Sequence, residues 1–454
     1  MASPVKLGVI GAGSAVFSVG LIQDICLRQS LSGSRVTLMD IDRARLEPIH
    51  KFAHRYAAEL GADVTFEMTT QRERALADAD FVINTAMVGG HDFVERLRAW
   101  TEEQGYYRGF RIEQALNIRL MLSVARDMER LCPDAWLIQA GNPVFEGCTA
   151  VHRETAVKFC GICHGHYGYR EVAETIGLDP DKVTARAVGF NHCIFLTRFE
   201  YEGRDALPLL DRWIADKSEE FWRDYRPRYH ENQMARAAVE IYKLVGLFPI
   251  GDTTRKGGWW FHTDLDAKKK WYGAELGGFD SEIGWAQYLR GLDEEVSRIH
   301  AAAVDESQRL TDLFPPEPTG EQHFPLIDAL VNDNRVGLQV NVPNRGAIDG
   351  IPDNVVVELP AVCSHRGIQP HRIGKLPDTL MVGALYPRLL DAERLIHFAT
   401  KPDGRLLMGI ILDDHRTRSW EHAVRFYRDL LARPEIEELA AEIAPGSAGP
   451  EFSP

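Results

Sequence analysis

The sequence predicts an α/β fold: a doubly wound parallel sheet followed by a second, α+β catalytic domain. Three observations carry this. Leu7 to Val16 reads LGVIGAGSAV, an apolar run, two glycines one residue apart, and a run able to start a helix. RVTLMDID, Arg35 to Asp42, is a second apolar run and ends in acidic residues. Two further apolar runs, DFVINTA from Asp80 and AWLIQAGNP from Ala135, are each entered from a helix-like segment, the alternation expected of parallel strands.

The first run has a chemical meaning. Gly11 can take φ > 0 for a tight turn, and Gly13 lets the backbone approach a pyrophosphate. The helix opened by Ser14, Ala15, Val16 and Phe17 then turns its free N–H groups toward that anion, as in a Rossmann-type unit. Asp40 follows Gly13 close to the usual spacing of roughly 20 residues for a carboxylate that accepts from a ribose 2′-hydroxyl. A carboxylate there repels a 2′-phosphate, so NAD is expected over NADP. Asn84 and Thr85, at the end of the third run, complete the expected cofactor contacts. Val16 stands where a third glycine is usual, which puts close packing of helix on strand in doubt.

Later elements follow from periodicity. Helices are expected over 17–31, 42–59, 93–104, 112–131, 169–177 and 205–226, with a further helical stretch over 282–313. VGLQVNVPN and NVVVELPAVC read as strands joined by a Gly/Pro turn, and FPPEPTGEQ as a loop. The expected organisation is a cofactor domain over 1–200, a substrate domain over 201–440 and an unstructured tail over 441–454.

Composition sets limits. The 454 residues have room for two or three domains. A formal net charge of −14 argues against nucleic acid or an anionic membrane as partner. No stretch nears the roughly 20 apolar residues of a membrane span, and the first apolar run leads into a glycine turn, not a cleavage site. The seven cysteines are odd in number and sit largely in apolar runs, as reduced thiols do, so a cytoplasmic setting is expected.

Chemistry concentrates in CHGHYG (Cys163 to Gly168) and GFNHCIF (Gly189 to Phe195). Cys163 follows an apolar run, so it emerges at a strand end, where open α/β sheets hold their ligands. A thiolate and the His192 imidazole suit a divalent transition ion, and two protein ligands leave positions open for substrate. The spacing alone equally allows a core cysteine and a satisfied histidine.

GAGSAVFS, INTAMVGGH, GYYRG, GNPVFEG, CHGHYG, GFNH, PIGDT and GEQHFPLIDAL, in this order over most of the chain, resemble glycoside hydrolase family 4, closest to its α-glucosidase branch. The resemblance implies a cytoplasmic homodimer or homotetramer that requires NAD+ and a divalent ion, typically Mn2+. It also implies a cofactor domain shared with lactate and malate dehydrogenases, and an exception to the two-carboxylate rule of glycosidases. Carried over, Cys163 and His192 are the metal ligands, and Asn142 holds substrate hydroxyls near the nicotinamide. The implied route on an α-glucoside is transient oxidation at C3, loss of the C2 proton, elimination of the C1 substituent, water addition and return of the hydride.

Roles beyond these stay open. Asp252 in PIGDT is the candidate C2 base, unless it caps the next helix, and Tyr242 is the alternative base. His164 faces the leaving group or is structural, and Asn191 lies beside the metal histidine on the substrate side. Arg255, Lys256, Trp259, Trp260 and His262 suit sugar hydroxyls and ring faces. The segment after GYYRG is shorter than in the α-glucosidase branch and offers Arg111 and Arg119. Two arginines could clamp an anionic C6 group such as a uronate or sulfonate, or could face solvent on a helix. A plain NAD-dependent sugar or hydroxy-acid dehydrogenase, or an NAD-sensing protein, would use the same cofactor domain.

Overall fold

The computed structural model describes residues 2–228, 230–231, 233–256 (256 by its backbone alone), 261–443 and 452. Six strands, β1 (Lys6–Ile10), β2 (Ser34–Met39), β3 (Val64–Thr69), β4 (Phe81–Asn84), β5 (Trp136–Gln139) and β6 (Lys158–Gly161), lie in the order β3-β2-β1-β4-β5-β6 with every pairing parallel. Helices cover both faces, so the central strands β1 and β4 are buried almost throughout, while the edge strand β3 alternates between buried and exposed residues. In β4, Phe81 and Ile83 join the core under the helices Ala15–Leu27 and Arg43–Leu60. Val82 joins the opposite core under the helix Ile112–Leu131. This is the doubly wound arrangement that the apolar runs predict.

The sheet does not stop there. β7 (Val183–Phe190), β8 (Cys193–Tyr201), β9 (Arg204–Asp205), β10 (Phe248–Ile250), β11 (Val336–Pro343), β12 (Val356–Ser364) and β13 (Gly367–Pro370) extend it, in the order β10-β8-β7-β12-β11-β6, through antiparallel pairings. β9 pairs with β8, and β13 with β12. Two registers form the seam: Asn341 of β11 opposes Gly161 of β6, and Glu358 of β12 opposes Gly189 of β7. The expected division at 200/201 falls inside β8, and the sheet runs on without a break.

Several sequence-based extents shift for local reasons. The Asp42 carboxylate accepts from the N–H groups of Ala44 and Arg45, so it caps the second helix from outside. The stretch expected to be helical over 282–313 divides into Glu282–Val304 and Leu310–Leu313. Residues 441–443, expected in an unstructured tail, instead close the helix Glu437–Ile443, whose Leu439 and Ile443 are buried, and the Phe452 ring meets Tyr427 edge-on; the rest of the expected tail lies outside the described residues. β3 and the helices Tyr386–Thr400, Gly404–Asp413 and Trp420–Leu431 were not expected from the sequence. No helix among the described residues is long and apolar enough to cross a membrane.

Gly161 tests the seam. A Cβ there would lie 2.6 Å from Val144 Cγ1, 2.8 Å from Asn341 Cβ and 3.1 Å from Cys148 Sγ, all in a packed interior. Gly161→Ala is expected to destabilise the protein by about 1–3 kcal/mol in urea unfolding. An unchanged midpoint would show that β6 and β11 do not meet this closely.

Candidate active site

The nucleotide end of the site follows from the first glycine turn. Gly11 has φ of 89°, and a Cβ there would sit 2.7 Å from the backbone of Ala86. Asp40, just past β2, accepts from Gly13 N at 2.8 Å and from Asp42 N at 2.9 Å, so the carboxylate lies against the loop. Val16 is 40% exposed and points away from the sheet, while Ala15, Val19 and Ile22 make the buried face of its helix. The doubt about helix packing is thereby resolved. Thr85 Oγ1 donates toward Ile10 O and Gly11 O, tying the end of β4 to the turn. Asn84 is fully buried, with Nδ2 donating to Gln139 Oε1 and Oδ1 accepting from Ala86 N. It shapes the loop from within and does not face a ligand, which corrects its expected role as a direct contact. Asn142 is exposed just beyond β5 and precedes Pro143 through a cis peptide bond.

Three later segments converge beside that edge. Cys163 follows β6. Asn191 and His192 form the two-residue turn between β7 and β8, with His192 at φ of 60°. Asp252 follows β10. Its turn is fixed twice: Gly251 N donates to Gln233 Oε1 at 2.7 Å, and Thr253 Oγ1 accepts from Ile194 N at 2.7 Å. Gly251 packs so closely on the Cys163 loop that a Cβ would meet Gly165 O at 2.7 Å.

The result is one charged cluster. His192 Nε2 lies 3.2 Å from Asp252 Oδ2, and the Arg255 guanidinium pairs with the same oxygen. Arg255 also reaches Asp280 Oδ1 at 3.6 Å and lies over the Phe279 ring. Burial pushes the Cys163 thiol up to about 12, and the carboxylates of Glu358 and Asp252 push in the same direction. A side-chain hydrogen bond from Asn191 opposes them. Such a thiol deprotonates only with a compensating cation. Thiol sulfur, imidazole nitrogen and nearby carboxylates are a donor set that fits a first-row divalent ion. Among the described residues no group of three or more His, Cys, Asp or Glu side chains is placed to hold a metal ion by itself.

Against this geometry the comparisons with known proteins are specific. A family model described as family 4 glycosyl hydrolase matches residues 6–178, and one for the C-terminal domain of the same family matches 187–415. The chain belongs to glycosyl hydrolase family 4. It is similar to an α-galacturonidase of Lachnoclostridium phytofermentans, 24% identical, with 97% of this chain and 95% of that protein covered. An α-glucosidase of Erwinia rhapontici is 26% identical, with 80% and 83% covered. Among solved structures, a 6-phospho-α-glucosidase from gut microorganisms, in complex with NAD and Mn2+, superposes with a TM-score of 0.77 at 18% identity, covering 97% of this chain and 99% of that one.

Other residues of this family 4 enzyme stand as follows. His164 is largely exposed, and its Nδ1 lies 3.3 Å from Glu321 Oε1, whose hydrogen bond raises the imidazole pKa. His262 turns inward onto Arg255 O, Tyr272 and Lys268, as part of the wall behind Arg255. Lys268 in that wall is fully buried, and burial pushes its ammonium down to about 7. Three expected residues are not brought to the cluster. Tyr242 donates to Asp211 Oδ1 at 2.8 Å, which with burial raises its phenol pKa and makes it a poor base. Arg111 is held by both oxygens of Asp391. Arg119 is held by Glu442 and Ala399 O. Trp259, Trp260 and the Lys256 side chain lie outside the described residues.

Sequence reasoning missed Glu358, Glu321, Asp280 and Lys268. Glu358 carried a signal: a single charge inside the apolar run VVVELPAVC, directly opposite Asn341 and diagonal to Gln339, which share one face of β11. It is 1% exposed, and burial pushes its carboxyl from the ordinary range up to about 7. A carboxyl raised in the folded state binds more protons there than in the unfolded chain. Its contribution is therefore fully present below about pH 4.5 and lost as pH rises through about 7, at up to about 1.4 kcal/mol per pH unit. Thermal unfolding of the cation-free protein should show Glu358→Gln gaining on wild type between pH 5 and pH 8. A constant difference across that range would contradict the burial of this charge.

Proposed function

We propose that this family 4 glycosidase hydrolyses α-glucosides, with NAD+ along the glycine turn and Asp40, and with a divalent ion, Mn2+, held by Cys163 and His192. The observation that carries the reading is the meeting of Cys163, His192 and Asp252 from three strand ends at the edge that also holds the nucleotide turn. When bound, the cofactor supplies hydride acceptance at a sugar carbon, and the cation supplies charge stabilisation of the resulting carbonyl, which makes the adjacent C–H acidic.

The residues of the chain do the rest. Arg255 and His192 hold the Asp252 carboxylate in one orientation, as a base at C2 requires. Asn142, exposed just beyond β5, is assigned to exchange hydrogen bonds with sugar hydroxyls beside the nicotinamide, a role its exposure allows. Glu321 favours the charged form of His164, which this reading assigns to the leaving-group side. A thiol ligand ties activity to reducing conditions, which suits a cytoplasmic setting, and the family resemblance suggests a homodimer or homotetramer.

A second reading, an anionic α-glycoside such as a galacturonide, is supported by the α-galacturonidase that aligns over nearly the whole chain. It does not draw on Arg111 and Arg119, since both are engaged elsewhere.

The test is a panel of 4-nitrophenyl α-glucoside, α-galactoside, α-galacturonide and sulfoquinovoside with NAD+ and Mn2+. Phenol release without net NADH is expected, fastest with the glucoside. Stoichiometric NADH without cleavage would identify a dehydrogenase instead. Asp252→Asn should lower kcat by about 10²–10⁴ while NAD+ affinity is unchanged.

A further inference from the structure

The least expected group at the site is a carboxylate with no solvent. Glu358, on β12, has amide partners: Oε2 accepts from Asn191 Nδ2 at 3.0 Å, Oε1 accepts from Gln339 Nε2 at 3.5 Å, and the Asn341 side chain also bonds it. Gln339 is itself clamped, donating to Ala187 O at 3.1 Å while its backbone exchanges two hydrogen bonds with the Gln322 amide at 2.8 and 2.9 Å. The network thus crosses β7, β12 and β11, and Asn341 Nδ2 reaches Gly161 O of β6 at 3.4 Å. On its far side Asn191 bonds the Cys163 thiol and is the neighbour of His192.

A glutamine at 358 would fill the same volume without the cost of burying a charge. What a glutamine cannot do is dictate a direction. Once ionised, as a cation beside it would favour, the carboxylate only accepts, so the Asn191 amide must turn its NH2 group toward it, whereas an amide partner could pair with either face of Asn191. One flip of Asn191 presents a hydrogen-bond donor edge to the sulfur, and the other does not.

We propose that Glu358 is a positioning residue for the cation: by fixing the orientation of Asn191, it holds the Cys163 sulfur and the His192 turn ready for a metal ion. The inference rests on the reading of Cys163 and His192 as the cation ligands. Groups that orient ligands in this way are typically worth 10–100-fold in metal affinity.

The experiment is titration of the intact protein with Cd2+, followed by the ultraviolet thiolate-to-metal charge-transfer band and by calorimetry, with NAD+ affinity and circular dichroism measured alongside. Wild type should bind one Cd2+ with a thiolate band that Cys163→Ser abolishes. If wild type shows no such band, the ligand assignment itself fails. Glu358→Gln should bind Cd2+ about 10–100-fold more weakly with NAD+ affinity unchanged. Asn191→Ala should lose a similar factor, and the double variant should lose no more than the larger single loss, since both act through one contact. Wild-type Cd2+ affinity in Glu358→Gln, or losses that add in the double variant, would overturn the proposal. Should Glu358→Gln fail to fold, Glu358→Asp decides: the carboxylate withdrawn by one methylene is expected to weaken Cd2+ binding, and unchanged affinity would overturn the idea equally.

Discussion

Everything at the site depends on a sheet that changes direction without ending. β6 completes the parallel half, and β11 adds to it antiparallel, in register at Asn341 and Gly161. β12 and β7 then continue the sheet, in register at Glu358 and Gly189. These two registers carry the turn at Asn191 and His192 back to the edge where Cys163 leaves β6. A slip of one residue would reverse every side chain on the shifted strand, turning Glu358 away from Asn191. Backbone crowding at Gly161 and Gly251 leaves little room for such a slip.

That geometry creates an electrostatic demand which the chain only partly meets. A partly buried thiol, two carboxylates and an imidazole lie close together, and Arg255 already divides its charge between Asp252 and Asp280. Desolvation favours the protonated thiol, so in the proposed role as a metal ligand, cation binding and loss of the thiol proton would be one event. The same low dielectric makes each fixed dipole nearby, Asn191 above all, count for more than it would in water.

Legibility in the sequence followed range. The nucleotide turn and the helix Ile112–Leu131 were readable because their signals lie within one or two dozen consecutive residues. β7 and β8 were half readable: the chemistry of GFNH stood out, but the partner strand lies far along the chain and only the fold supplies it. Resemblance placed Cys163 and His192 as ligands, while the pairing of His192 with Asp252 needed the three-dimensional register of β8 and β10. Arg111 and Arg119 misled because an arginine that clamps a carboxylate of the protein has the same local signature as one that awaits a ligand. Glu358 was passed over because a single acid in an apolar strand reads as a flaw in the pattern, and its amide partners come from other strands.

The central claim is that glycoside cleavage here passes through oxidation of a ring carbon next to a cation-assisted deprotonation. Kinetic isotope effects on a 4-nitrophenyl α-glucoside, deuterated separately at C2 and C3, address it most directly. The account predicts slower turnover for at least one label, and complete dependence on added NAD+ and a divalent ion. Rates unchanged by both labels, in protein that stays active after nucleotide and chelatable metal are removed, would contradict it.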